Sequence, residues 1–447
     1  MSNKADYGKL LKIVGPVSFQ YLMTSLVSAS DAFMLGFLDQ RSLSAVSLAT
    51  QVAFVYSLFF GAFVFGFNVM GAQYYGKKDI ASVEKIITIA LRYTMIVGFI
   101  FSLVTFIIPD KVMYIFTSDQ ELIAEGAKYL RAVSASYLLT GISQVYFGVL
   151  KVCDRAGLSS FIGSMAVVVN IILNAVLIFG IGSFEGMEIT GAALATVFAR
   201  VFEVVFALAA TARFKCPKSG VKYLLKRDDE VLHKDYWKYT TPLLINQLGW
   251  GGGVTMYSVI MGHLGSDAVA ANSIAGIVRS MVASLCWGIA AAVGIVIGQM
   301  LGSGKLDEAK RLGGKYVRLS IWIGVGSGIV ILCLIPPVLK VITLTPVAQR
   351  YLKWMLVMAA YYIIGNSLNS TIIAGIFPAG GDTKFGMVCD VVTLWCVVVP
   401  LGLLFAFVIK APVLVVAFIL TLDEFVKIPA VYRHYMKYNW VKNITRS

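Results

Sequence analysis

Twelve long apolar runs, separated by short polar stretches, constrain this chain more than any other feature. They fall near 13–38, 43–70, 86–108, 122–149, 158–181, 188–212, 239–262, 267–300, 316–339, 347–374, 385–409 and 412–435. Runs of this length cross the ~30 Å hydrocarbon core of a bilayer as helices. Lipid offers the backbone no hydrogen bonds, so each span must satisfy its own. Composition agrees: 58% of residues are hydrophobic and 14% charged, against about 25% charged in a soluble domain. The reading is an all-α membrane protein of twelve transmembrane helices with no large soluble domain. The first run follows the basic segment MSNKADYGKLLK. It is too long for a signal h-region and has no cleavage site, so it is expected to stay as the first span.

The formal charge of +14 could suggest a nucleic-acid partner, but its distribution does not. Take the N-terminus, the loops after spans 2, 4, 6, 8 and 10, and the C-terminus as one side. That side holds most of the 38 Lys and Arg, among them Lys77, Lys78, Lys151, Arg155, Arg227, Lys305, Arg311, Lys384 and Arg433. The positive-inside rule then places both termini in the cytoplasm of a plasma (inner) membrane. The basic excess is a topology signal and a lipid head-group contact.

The chain repeats itself. Pro16 and Pro242, Gly36 and Gly262, Gln73 and Gln299, and Gly76 and Gly302 are all separated by the same offset. GAQYYGKKDIASVEK matches GQMLGSGKLDEAKR, and GVLKVCDRAG matches GIFPAGGDTK. A constant offset over so long a stretch marks a duplicated six-helix unit. Six is even, so both copies share one topology and are related by a pseudo-two-fold axis along the membrane normal. The expected organisation is a six-helix bundle over 1–212, a cytoplasmic linker over 213–238 and a second six-helix bundle over 239–447. Parallel repeats of this kind place a substrate cavity between the halves and work by alternating access.

Asp31 is the one charge in span 1. A carboxylate in a spanning helix costs roughly 2.5–3.5 kcal/mol on insertion scales, so it faces a cavity or a partner rather than lipid. Ser28, Thr24 and Gln20 precede it at helical spacing. The stripe reads either as one wall of a wet pathway or as a polar interhelical contact. Arg200 and Arg279 also lie mid-span. Arg200 can pair with Glu203 one turn on, whereas Arg279 has no acid at helical spacing. If Arg279 faces the cavity it disfavours cations. Asp390 reads either as an acid of span 11 or as a helix-end partner for Lys384, and Asp423, Glu424 and Lys427 as a paired cluster near the cytoplasmic end of span 12, with Glu424 and Lys427 a structural pair. The six cysteines show no metal or redox spacing, and no disulfide is expected. GWGGGV and AGGDTK lack P-loop spacing and read as helix packing and a turn. The three histidines are isolated, which leaves no nucleophile–base set for an enzyme. A passive channel would usually need a ring assembled by oligomerisation, and the duplication argues for a self-contained path.

The chain resembles the multidrug and toxic compound extrusion (MATE) family over roughly residues 10–440. The carrying stretches are DAFMLGFLDQRSLSAVSLATQ, GAQYYGKKD, NIILNAVLIFG with GAALAT, HLGSDAVAANSI, GQMLGSGKLDEAKR and AGGDTKFG. The resemblance implies two six-helix bundles facing a central cavity, and antiport of Na⁺ or H⁺ against organic, usually cationic, compounds. It also implies a coupling-ion site formed by Asp31, Asn170, Asn174 and Thr196. Asp31, Asn174 and Thr196 each lie eight residues from the outer end of their span, ~12 Å deep. One carboxylate with amide and hydroxyl oxygens suits Na⁺ at Asp31, Asn170 and Asn174. A desolvated carboxylate can carry H⁺ instead. Some members have a second Asp where this chain has Asn174, and the single acid here favours H⁺. Some have a glutamate on helix seven where this chain offers Asn246 and Gln247.

The expectation is therefore a monomeric, cation-coupled antiporter exporting small organic, cationic multidrug-type compounds, with no cofactor beyond the coupling ion, H⁺ or Na⁺. Gln20, Thr24, Ser28, Gln247, Met256, Arg279 and Asp390 are candidates for the substrate cavity or a second acid. The alternative is a flippase or exporter of an anionic or lipid-linked metabolite.

Overall fold

In the computed structural model, residues 13–24, 30, 34, 35, 40–181, 184–217, 229–342 and 344–446 are described. Asp31 and Ser28 lie outside them. Residues 13–24 are helical. The main helices after them are α1 (Gln40–Gly76), α2 (Ile80–Ile107), α3 (Gln120–Val133), α4 (Ala135–Val152), α5 (Ala156–Phe179) and α6 (Glu188–Arg213). Then come α7 (Glu230–Gly262), α8 (Ser266–Gly302), α9 (Leu306–Val341), α10 (Pro346–Ala379), α11 (Thr383–Val408), α12 (Val413–Leu420) and α13 (Asp423–Tyr435). Among the described residues, eight helices are long and apolar enough to cross a membrane, or nine when the bent pair α3–α4 counts as one.

The duplication is visible in the helix limits. Helices α1 and α8 are both 37 residues long, and their first and last residues differ by the repeat offset read from the sequence. Helices α2 and α9 start at equivalent positions as well. Helices α10 and α11 depart from regularity at the π-turns Ser370–Ile376, Thr393–Val398 and Leu404–Val408. Such turns collect at functional sites.

Two compact units divide the chain. The first comprises Phe19–Gly71 and Asp79–Trp237, the second Met1–Ser18, Ala72–Lys78 and Lys238–Ser447. In the first, α5 and α6 pack side by side. They are joined by a two-stranded hairpin in which β1 (Gly180–Ile181) pairs antiparallel with β2 (Phe184–Glu185). Gly180 ends α5 with a φ of 77°, a left-handed value that glycine adopts without a Cβ penalty. The buried Tyr56 packs with Phe60, Phe101 and Tyr137. The polar stretch 213–238 is helical from Glu230, and its end belongs to this unit: Lys85 pairs with Asp229 at 2.9 Å, Tyr93 bonds His233, and Tyr236 donates to the Phe63 carbonyl.

In the second unit, α8, α9 and α10 pack together around a core that includes Ile331, Leu356 and Ile363. Residues 72–78 are held here by Gln73, which is fully buried. Its amide nitrogen donates to the carbonyls of Ala379 and Lys442, and its oxygen accepts from the Ile444 amide.

Candidate functional site

In the first unit, Asn170 and Asn174 lie on one face of α5 and are both buried. Asn174 Nδ2 donates to Asn170 Oδ1 at 3.2 Å. Thr196 on α6 is half-buried and its hydroxyl donates to the Ala192 carbonyl at 3.1 Å. Helices α5 and α6 are neighbours, so the structure brings three of the four expected ion-site residues onto one helix pair. Buried amides in a membrane interior are retained where they hold each other or a ligand. Gln20 is buried and accepts from the Ser159 hydroxyl at 3.5 Å, while Thr24 is exposed and caps back to the Gln20 carbonyl. Deeper in the unit, Arg200 and Glu203 form the pair that their spacing suggested, at 2.6 Å, and Ser143 donates to the same carboxylate.

The second unit holds a polar centre that is less visible in the sequence. Lys427 on α13 bridges Asp390 Oδ1 of α11 at 2.9 Å and Glu424 Oε2 at 3.1 Å. Asp390 therefore pairs with Lys427 rather than with Lys384, which is exposed. Its other oxygen accepts from Asn246 Nδ2 at 3.1 Å. Glu424 accepts from Asn366 and Asn369 of α10, at 3.1 and 2.7 Å. Asp423, Glu424 and Lys427 are all buried. Asn366 and Asn369, three apart in an apolar span, carried a signal that sequence reading passed over.

A cleft beside this centre lies wholly within the second unit. With the solvent at its mouth it encloses about 620 Å³, and Tyr257, Met261, Asn272, Arg279, Met358 and Thr421 help line it. Arg279 stacks over the Tyr362 ring at 5.3 Å. Methionine and tyrosine make a wall that adapts to different apolar shapes. Met256 and Gln247 are half-buried on α7 and do not line this cleft. Arg279 has no acid at helical spacing along α8, but its charge acts on Asp423 of α13.

Outside the spans, Cys153 and Cys216 follow the ends of α4 and α6 and are both buried. A hydrogen bond from Cys153, aided by the nearby Arg155 charge, lowers the Cys216 thiol to about 7 against the opposing effect of burial.

Long apolar helices, buried ionisable groups within the spans and a duplicated bundle define a polytopic membrane transporter. The MatE family profile matches residues 16–176 and 242–419, and the chain belongs to that family. It is a transporter and not an enzyme. An uncharacterized transporter, YisQ, of Bacillus subtilis is 19% identical over 97% of this chain and 95% of its own length. A probable multidrug resistance protein, NorM, of Thermotoga maritima is 22% identical over 88% and 84%. Among solved structures, a MATE protein in a bent conformation superposes with a TM-score of 0.86 at 16% identity, over 98% of this chain and 96% of the other. A transporter from Pyrococcus furiosus, described as having a binding pocket of reversed polarity, does so with 0.87 at 16%, over 97% and 96%. These structural likenesses concern the fold.

Proposed function

We propose that the protein exports small organic compounds across the plasma membrane in exchange for entering protons, by alternating access of its two repeats, as a monomer with both termini in the cytoplasm. The family is one of multidrug efflux transporters, and the relatives with multidrug resistance names support the substrate class. One observation carries the choice of ion. Asn174 Nδ2 donates to Asn170 Oδ1 at 3.2 Å, and both side chains are neutral, so among the four expected ion-site residues Asp31 supplies the one carboxylate. A Na⁺ ion draws most of its affinity from several hard, preferably charged, oxygens. A proton needs one carboxylate in a desolvated place. In this reading Asp31 takes the proton near the outer face. Its neutralisation changes how the first span packs on α5 and α6, and this couples ion entry to substrate release.

The test uses full-length protein in liposomes and efflux of a fluorescent organic cation under an imposed pH gradient or an imposed Na⁺ gradient. Efflux driven by the pH gradient alone, and lost in Asp31→Asn, is the expected result. Efflux driven by Na⁺ alone would reject the proton assignment.

A further inference from the structure

The charged groups around α13 do not balance. Three carboxylates, Asp390, Asp423 and Glu424, face two cations, Lys427 and Arg279. With every group ionised the centre carries one surplus negative charge inside the membrane, where an uncompensated charge is costly. The hydrogen bonds show which group holds the surplus. Asp390 has Lys427 and Asn246, and Glu424 has Lys427, Asn366 and Asn369. Asp423 is only 7% exposed, and its Oδ1 is buried without a hydrogen-bond partner. The charges of Glu424, Lys427, Arg279 and Asp390 all act on it. It acts in turn on the hydroxyls of Tyr257, Tyr361 and Tyr362. Cys389, beside Asp390, and Cys286, on which the Glu424 charge acts, are further titratable groups facing the centre. Thr421, two residues earlier in the chain than Asp423, and Tyr257, on which the Asp423 charge acts, both line the cleft.

We propose that Asp423 is a second proton-binding carboxyl, in the second unit, which binds one proton in one half of the transport cycle and gives it up in the other. The proton adds to Oδ1 and leaves from it, and no other bond changes. This rests on the proton-coupled reading above and extends it from one carrier group to two. A proton fits better than Na⁺ because the neighbouring carboxylates are already taken: Asp390 by the Lys427 ammonium and the Asn246 amide, Glu424 by Lys427, Asn366 and Asn369. A metal ion at Asp423 would have to displace these donors to gain a second carboxylate. As the first residue of α13, Asp423 also meets the positive end of the helix dipole. That contact alone makes it a structural acid, so the test must read protonation itself.

The experiment is infrared difference spectroscopy of the full-length protein in liposomes between about pH 5 and 9, a range that spans the titration of buried carboxyls. A protonated buried carboxyl gives its own C=O band. The expected result is one such band lost in Asp423→Asn, shifted in Asp423→Glu and kept in Asp31→Asn. A second band, lost only in Asp31→Asn, belongs to the coupling acid. If wild type and Asp423→Asn give the same difference spectrum, the inference is overturned while the Asp31 reading stands. If the Asp423 band is present and Asp31→Asn changes nothing, the reverse holds. Should Asp423→Asn fail to insert, Asp423→Glu decides: an unchanged band position overturns the proposal.

Discussion

Gly76 presses on Gln299 and Gly302 on Gln73, each glycine on the glutamine of the other repeat. A Cβ on Gly76 would land on the Gln299 carbonyl, and one on Gly302 would land on the Gln73 carbonyl. The contact is reciprocal, as a pseudo-two-fold axis requires. It closes the ends of α1 and α8 backbone to backbone, and only glycine leaves room for it. Replacing Gly76 with Val forces the helix ends apart. Overpacking of this kind costs about 1–3 kcal/mol, and thermal unfolding in detergent should register it. Gly262 has open space around its Cβ position, so Gly262→Val is the control and should leave the midpoint nearly unchanged.

Asn174→Asp tests the choice of coupling ion. The variant places a second carboxylate beside Asn170, on the helix face expected to meet Asp31. Two acids with amide and hydroxyl oxygens approach the charge count that a hard cation prefers. Efflux in liposomes should become responsive to a Na⁺ gradient. Continued indifference to Na⁺ would mean that the number of acids does not set the ion.

Glu203 is 4% exposed and holds both Arg200 and Ser143. Glu203→Gln leaves Arg200 facing a neutral amide within the bundle. Breaking a buried pair from one side costs about 3–5 kcal/mol. Arg200 keeps a 27% exposed side chain, so roughly the lower end of that range is expected. Removing both partners, in Arg200→Met with Glu203→Met, should cost less than the single change, and unfolding midpoints will rank the two.

Cys216 carries a thiol lowered to about 7 by the hydrogen bond from Cys153. The thiolate is the reactive form, so alkylation should speed up as pH rises through about 7 and level off above it. Cys153→Ala removes the largest cause and should move that rise toward the ordinary thiol value of ~8.5. Site-resolved mass spectrometry of maleimide labelling reads both. A rise that does not move in Cys153→Ala would contradict the pairing.

The sequence carried the helices and their duplication because both depend on local composition. The offset between Gln73 and Gln299 reappears in the helix limits because each residue sits one turn before the glycine that ends its helix. Other features depend on partners far apart in the chain and left no local trace. Lys427 finds Asp390 across 37 positions, so spacing along α13 could suggest only Asp423 and Glu424. Arg279 looked isolated for the same reason, since the carboxylate its charge acts on lies on α13. Asn174 and Thr196 were read as candidates from their common depth, and Asn170 from its place one turn before Asn174 and the family likeness, whereas the hydrogen bond between the two amides left no trace in the sequence.

The central claim is that substrate and proton move in opposite directions through one coupled cycle. Coupling is reciprocal, so a substrate gradient must be able to push protons uphill. The direct measurement loads liposomes with an exported organic cation, dilutes them into substrate-free medium at equal pH, and follows internal pH with a trapped dye. Substrate leaving down its gradient should acidify the interior as protons enter, and Asp31→Asn should abolish the signal. Substrate efflux with no change in internal pH, or an undiminished signal in Asp31→Asn, would contradict the account.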